Sequence, residues 1–246
     1  MIPIIAIANL VNGFISALLV VRLYARYRRR RRARLPVVGV GYFLVFYLSV
    51  AVLWLLYATP GLLVTDTYLI MVLQSLADVF VYVASIVLIQ ISFYAMNRQN
   101  IGVVLSFMSG TTAIVYVLGK IIYAAPHVRE VIPPYVYWHP GTPVWLQVMT
   151  GIISGLSATI FISTFVSLGF RARSNAAVSQ RSLYLAGGAT FLFVATLAFF
   201  IFSTGGFLLT FVASIFGIIG LFLMLHGVPY RDQDSAAQQT STPGVT

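Results

Sequence analysis

The chain has 246 residues, of which 60% are apolar and 8% charged, and its formal net charge is +10. Soluble domains have about 45–50% apolar and about 25% charged residues, so this composition excludes a water-soluble fold and predicts that lipid surrounds most of the chain. The absence of cysteine excludes disulfides, thiolate metal ligands and a catalytic thiol.

Seven apolar stretches follow one another along the chain. A hydrocarbon core about 30 Å thick needs roughly 20 helical residues per crossing. In lipid the backbone N–H and C=O groups must form their hydrogen bonds within their own segment, which favours helices. The sequence therefore predicts an all-α integral membrane protein, a seven-transmembrane-helix bundle that fills residues 1–230. The predicted spans are about 2–24, 36–58, 67–95, 101–123, 144–170, 182–203 and 205–228. The polar residues 231–246 predict a short disordered cytoplasmic tail.

Basic residues fall almost entirely on one side of this layout. Of the 15 Lys and Arg residues, 13 lie in the first, third and fifth connections and in the tail: Arg22, Arg26, Arg28, Arg29, Arg30, Arg31, Arg32, Arg34, Arg98, Arg171, Arg173, Arg181 and Arg231. Positive charge is retained in the cytoplasm, so we expect an outside N-terminus and a cytoplasmic C-terminus in a multi-pass protein of the cell membrane.

The run Arg28–Arg32 is interpreted first as a topology anchor. It also predicts contact with anionic lipid headgroups at the cytoplasmic face, at about 1 kcal/mol per residue. Nucleic acid is not an expected partner, because the connection is too short to hold a domain that presents base contacts.

The connection 124–143 carries Pro126, Pro133, Pro134, Pro140 and Pro143 beside Tyr135, Tyr137 and Trp138. Prolines prevent a regular helix, and aromatic side chains favour the headgroup boundary. We expect a partly ordered cap on the outer face.

Asp78 is the only acidic residue well inside a span. It lies roughly 16 Å along the helix from Thr67, close to the bilayer centre. An ionised carboxylate there is costly, so it should face the bundle and find a partner. Gln74 and Tyr82 stand one turn on either side of it. Two interpretations stay open: a site for a proton, cation or polar ligand, and an interhelical hydrogen-bond knot that fixes packing.

Further polar residues lie in the fourth and fifth spans. Tyr116 and Lys120 share one stripe of the fourth, and Gln147 begins a polar row of the fifth with Thr150, Ser154 and Ser157. Lys120 is the natural partner of Asp78, but its backbone lies near the outer end of its span, so we expect its side chain to reach water instead. The predicted ligand-binding set is Asp78, Gln74, Tyr82, Tyr116, Lys120 and Gln147.

The first and seventh spans also carry polar and small residues. Asn9, Asn12 and Ser16 lie in the first, and Ser214 and Gly217 in the seventh. Close helix contact is the ordinary use of such rows in lipid, and convergence on a polar central cavity is the alternative.

Motifs for chemistry are missing. The patterns GxxxxGK, HExxH and GxSxG do not occur, and one intramembrane acid cannot form a carboxylate dyad. No two histidines lie where they could ligate a haem within the membrane from both faces. The seventh span has no lysine for a retinal Schiff base. We expect neither a cofactor nor a metal site, and we favour a non-enzymatic protein.

The layout resembles the seven-helix input domains of prokaryotic sensor kinases, with an arginine-rich first connection before an aromatic second span (Tyr42, Phe43, Phe46, Tyr47 and Trp54). This resemblance implies a receptor or sensor, and because no output domain follows Tyr230, a signal would pass to a separate cytoplasmic transducer.

Two other functions stay open. An accessory subunit of a membrane complex would use the long aromatic faces for contact with other subunits. The alternative is a small transporter or channel that uses Asp78. The predicted orientation is similar to that of carriers built from two three-helix repeats, but the spans lack hinge prolines in their interiors.

Overall fold

The computed structural model of the chain describes residues 4–62, 66–123, 125, 128–132, 135–139, 141–200 and 206–228. The helices are α1 (Ile4–Arg32), α2 (Val38–Leu62), α3 (Thr67–Ala95), α4 (Gln99–Tyr123), α5 (Val144–Arg171), α6 (Ala176–Phe200) and α7 (Gly206–Gly227). The first six are long and apolar enough to cross a membrane, and Phe211–Gly227 is a shorter apolar segment. The predicted apolar helical bundle is confirmed, and the chain is a polytopic membrane protein. The predicted tail, residues 231–246, lies outside the described residues.

Helix α1 continues eight residues beyond the predicted end of its span. Its 29 residues correspond to about 43 Å, so it exceeds the roughly 30 Å hydrocarbon core, and its last turn consists of Arg29, Arg30, Arg31 and Arg32. Arginine is a good helix former, and cations at a helix C-terminus interact favourably with the helix dipole. The run Arg28–Arg32 is therefore helical rather than a loop.

Two helices end in the same way. Arg34 and Asn97 adopt left-handed backbone conformations, with φ of 54° and 56°. The backbone amide of the residue that follows each of them donates to a carbonyl of the last helical turn. Leu35 N donates to Arg30 O at 3.0 Å, and Arg98 N donates to Phe93 O at 2.9 Å. This is a Schellman motif, which satisfies carbonyls that a helix end would leave unpaired. The sharp turns that follow make neighbouring helices antiparallel.

Six helices form a ring in the order α1, α2, α3, α5, α6 and α7, which closes by contact between α7 and α1. Helix α4 lies outside the ring, packs along α3 and meets α5 more sparsely. Most of its large apolar side chains are exposed, for example Phe107, Ile114 and Ile121. The core lies inside the ring, where aromatic side chains of α2 such as Phe46, Tyr47 and Trp54 are buried.

Glycines bring helices α6 and α7 into backbone contact. A Cβ atom on Gly188 would lie 2.6 Å from Gly220 O and 2.4 Å from Met224 Cγ. Small residues at such crossings let helices in lipid gain van der Waals contact along their backbones. Gly188 and Gly220 therefore fix how closely the last two helices pack.

The connection between α4 and α5 contains a β-hairpin that the sequence analysis did not foresee. Strand β1 (Val128–Ile132) pairs antiparallel with β2 (Tyr135–His139), from Val128 opposite His139 to Ile132 opposite Tyr135. Residues 133 and 134 between the strands are both proline, which suits a connection but not a strand interior. We call this end of the bundle the hairpin end and the opposite one, where α1 and α3 terminate, the arginine end.

Candidate functional site

Asp78 on α3 lies at the centre of a buried polar cluster. Its side chain receives one hydroxyl on each carboxylate oxygen: Tyr57 of α2 donates to Oδ1 and Tyr116 of α4 donates to Oδ2. Both tyrosines are nearly inaccessible, and only 5% of Asp78 is exposed. Charge-assisted hydrogen bonds of this kind are roughly twice as strong as neutral ones. Asp78 therefore ties together three helices.

Lys120 completes the cluster from α4, one turn beyond Tyr116. Its Nζ lies 3.7 Å from Asp78 Oδ2, and the side chains are 5% and 7% exposed. Lys120 Nζ also donates to Thr142 Oγ1, just before α5. We call Asp78, Tyr57, Tyr116, Lys120 and Thr142 the Asp78 cluster.

The expectation that the Lys120 side chain reaches water was wrong, and two features explain why. Helical side chains point back toward the N-terminus of their helix, which for α4 is the arginine end. The Lys120 side chain therefore points along the axis toward the middle of the bundle and away from the hairpin end. Beside it, Gly119 has no side chain, and a Cβ there would lie 2.8 Å from Leu146 Cδ2. Helix α5 therefore approaches closely enough to cover the lysine.

A second tier of polar contacts lies beside the cluster. Tyr82, one turn after Asp78, has its hydroxyl 3.0 Å from Thr150 Oγ1. Thr150 already donates its only hydroxyl proton to Leu146 O, so Tyr82 is the donor. Gln147 donates from Nε2 to Thr142 O at 2.8 Å, which supports the loop that meets Lys120. The contact between Tyr82 and Thr150 ties α3 to α5.

The structure thus brings together most of the predicted set. Asp78, Tyr116 and Lys120 touch directly, the Tyr82 ring packs at a tilt against Tyr116 with ring centroids 5.5 Å apart, and Gln147 contacts the cluster through Thr142. Gln74 is half-buried, and in the described part of the chain no hydrogen bond joins it to Asp78.

Two members of the cluster, Tyr57 and Thr142, were not predicted from the sequence. Tyr57 is one of 14 tyrosines and lies in a span with no other polar signal near it. Thr142 precedes α5 in a proline-rich connection, where a hydroxyl has many ordinary uses. The packing of α2 against α3 reveals Tyr57, and the contact of the chain before α5 with Lys120 of α4 reveals Thr142.

An apolar cavity of about 90 Å³ adjoins the cluster. It lies inside the ring between α2, α3, α5, α6 and α7, and apolar and aromatic side chains form most of its wall. The lining residues are Phe46, Val50, Leu53, Trp54, Tyr57, Val81, Ala84, Ser85, Leu88, Ser154, Ala158, Ala189, Leu192, Phe193, Ala195, Thr196 and Met224. Tyr57 belongs to both features, since its ring lines the cavity and its hydroxyl binds Asp78.

The chemistry available here is that of one ion pair and several hydroxyls. Among the described residues, no group of three His, Cys, Asp or Glu side chains is placed to hold a metal ion. The cluster offers a charged hydrogen-bond network, and the adjoining cavity offers space for an apolar group.

No protein-family model matches the chain, and comparisons with curated proteins and with solved structures give no match. The function is therefore inferred from the chemistry of the Asp78 cluster and the apolar cavity.

Proposed function

We propose that the chain is a receptor- or sensor-like protein of the cell membrane that crosses it seven times, with the N-terminus and the hairpin end outside and the C-terminus in the cytoplasm. The positive-inside rule supports this orientation, since Arg28–Arg32 and most other basic residues belong to the arginine end. The 22 residues of α7 suffice for a seventh crossing.

Because the chain has no cysteine, single cysteines test this orientation directly. Ala125 and Ala33 are both exposed and lie at the hairpin end and the arginine end. On intact cells an impermeant maleimide should label Ala125→Cys, and it should label Ala33→Cys only after permeabilisation. Labelling in the opposite pattern would refute the orientation.

The observation that carries the receptor proposal is the double role of Tyr57. An apolar ligand in the cavity would press on the Tyr57 ring, and the Tyr57 hydroxyl holds Asp78 Oδ1. A shift of Tyr57 would change the contacts of Asp78 with Tyr116 and Lys120. Both of these residues belong to α4, the helix outside the ring, so ligand binding would be transmitted as a movement of α4 relative to α3.

Filling the cavity tests this role. Protein purified in mild detergent from its native membrane would first be examined by native mass spectrometry for a bound apolar molecule. Ala189 is buried in the cavity wall, so Ala189→Leu should abolish retention of that molecule, whereas Ala177→Leu, exposed on the same helix, should not. Retention that survives in a folded Ala189→Leu variant would refute the cavity as the ligand site.

Transmission requires a separate readout. Hydrogen exchange in the segment from Tyr116 to Tyr123 should change when the molecule binds. The change should disappear in Tyr57→Phe, which keeps the ring in the cavity wall and lacks the donor to Asp78. If both proteins respond alike, Tyr57 does not transmit binding.

The second candidate function is a small transporter, and one observation favours it. The Asp78–Lys120 ion pair is buried within apolar helices, and intramembrane ionisable groups commonly mark ion or proton pathways. Proteoliposomes containing a pH-sensitive dye distinguish the two functions: a transporter predicts a proton flux that Asp78→Asn abolishes, and a receptor predicts no flux in either protein.

Two kinds of partner belong to the proposal. The helical run Arg28–Arg32 would bind anionic lipid headgroups in the inner leaflet. A cytoplasmic transducer or further membrane subunits would receive the signal, and the exposed apolar face of α4 suits lateral contact with other helices. An accessory subunit would co-purify with its complex in fixed stoichiometry, and a lone receptor would not. We propose no enzymatic step.

A further inference from the structure

A second group of buried polar residues lies on the opposite side of the ring, where α1 meets α2 and α7. Asn9, Asn12, Ser16 and Ser214 are each at most 2% exposed. Ser214 Oγ donates to Asn9 Oδ1 at 3.1 Å, and Asn12 Nδ2 donates to Ser214 O at 3.1 Å. These bonds join α1 to α7 and fix which way the Asn12 amide faces.

Three buried polar atoms at this junction have no hydrogen-bond partner among the described residues: Asn12 Oδ1, Ser16 Oγ and Trp54 Nε1. Each of their side chains is more than nine-tenths buried. An unpaired polar group in an apolar interior costs at least about 1 kcal/mol, so three at one place indicate a bound molecule that satisfies them.

Gly217 on α7 lies against two of these three side chains. A Cβ placed on Gly217 would lie 3.1 Å from Trp54 Cζ2 and 3.5 Å from Asn12 Nδ2, so the indole and the amide both face this glycine. Ser16 stands one helical turn after Asn12 on the same face of α1. The junction therefore brings together a donor from α2 and two acceptors from α1.

We propose that this junction binds an internal water molecule. Water can accept from the Trp54 indole, donate to Asn12 Oδ1 and bond to Ser16 Oγ, and buried waters typically make about three hydrogen bonds. A cation fits less well, because the Trp54 N–H donor would oppose it and none of the three residues is acidic.

The water has a consequence for the rest of the bundle. Trp54 packs edge-to-face on Tyr57, with ring centroids 6.3 Å apart, and Tyr57 binds Asp78. With the water in place, polar and aromatic contacts run from α7 and α1 through α2 to α3 and α4. This inference does not depend on the receptor proposal.

Water-edited solid-state NMR of protein labelled with ¹⁵N-tryptophan tests the proposal. The chain has three tryptophans, and Trp54→Phe identifies the Trp54 indole signal. We expect magnetisation to pass from water to the Trp54 indole about as fast as to Trp145, which is 49% exposed, although Trp54 is buried. Transfer several-fold slower than at Trp145 would overturn the proposal.

Variants locate the water. Ser16→Ala removes one partner and should slow the transfer to Trp54 several-fold, and Asn12→Leu should slow it further. The control Ser49→Ala removes a buried hydroxyl of α2 that bonds to its own helix, at Val45 O, and should leave the transfer unchanged. If Ser16→Ala and Ser49→Ala both leave the transfer unchanged, the water does not lie at this junction. Ser16→Ala is mild enough to decide the matter if Asn12→Leu fails to fold.

Discussion

Removing one partner of the Asp78–Lys120 pair should cost far more stability than removing both. The two charges are 3.7 Å apart and their side chains are at most 7% exposed. With an effective dielectric constant of about 20, their attraction is about 4.5 kcal/mol. Breaking a buried pair by deleting one partner costs about 3–5 kcal/mol, because the other charge stays buried without compensation.

Lys120→Met should therefore lower the midpoint of thermal unfolding in detergent by roughly 6–20 °C, at about 2–4 °C per kcal/mol for a protein of this size. Asp78→Asn should have a similar effect. The double variant Asp78→Asn, Lys120→Met should recover most of the loss, to within about 2 kcal/mol of the unmodified protein, since no buried charge remains.

Unfolding would be followed by circular dichroism at fixed pH and in the same detergent for all variants. Asp66→Asn is the matched control for the acid, because Asp66 is an exposed N-cap of α3 and asparagine caps a helix about equally well. If the losses of the two single variants simply add in the double variant, Asp78 and Lys120 do not interact and the ion pair is refuted.

Three further predictions concern packing, the cluster and the lipid surface. Gly188→Ala should destabilise the protein by about 1–3 kcal/mol, because the new Cβ would meet the backbone of α7. Gly187→Ala, with nothing within 4 Å of the new Cβ, should be neutral or stabilising, and thermal unfolding of both variants checks this. Tyr57→Phe should cost about 1.5–3 kcal/mol through the lost bond to a carboxylate, whereas Tyr184→Phe, a half-buried acceptor of a long hydrogen bond from Gln180, should change little. Replacing all five arginines of 28–32 by glutamine should remove preferential retention of phosphatidylglycerol over phosphatidylcholine in native mass spectrometry, since each contributes about 1 kcal/mol.

The centre of the candidate site could be predicted from the sequence because an acid within an apolar helix has few acceptable environments. Asp78 had to face the bundle, and the helical repeat placed Tyr82 beside it and Lys120 beside Tyr116. The direction of the Lys120 side chain was predicted wrongly. The position of Lys120 near the helix end favours water, but helical side chains point back toward the N-terminus and so toward Asp78.

Other features depend on tertiary contacts that no local pattern encodes. The position of α4 outside the ring follows from how the helices pack, since its apolar content is that of an ordinary span. The hairpin did carry a local signal. The segments 128–132 and 135–139 are rich in β-branched and aromatic residues and are separated by two prolines. The many prolines of the connection nevertheless predicted irregular structure.

The Asp78 cluster is one of the main attachments of α4 to the rest of the bundle. Near the arginine end, α4 contacts α3 through the close approach of Gly102 to Phe93 and through a hydrogen bond of 2.8 Å from Gln90 to Ser106. Near the hairpin end, the charged and hydroxyl contacts that α4 makes with other described segments are those of Tyr116 and Lys120 with Asp78 and Thr142.

A buried ion pair adds little net stability compared with apolar residues of the same size, and its best attested use is to fix the register of neighbouring elements. We therefore expect the cluster to set where α4 lies along α3. Helix α4 contacts the ring mainly through α3, and Asp78 on α3 is bound both by Tyr116 of α4 and by Tyr57 of α2. A ligand that displaces Tyr57 would have to break its bond to Asp78 and its packing against Trp54 in the core.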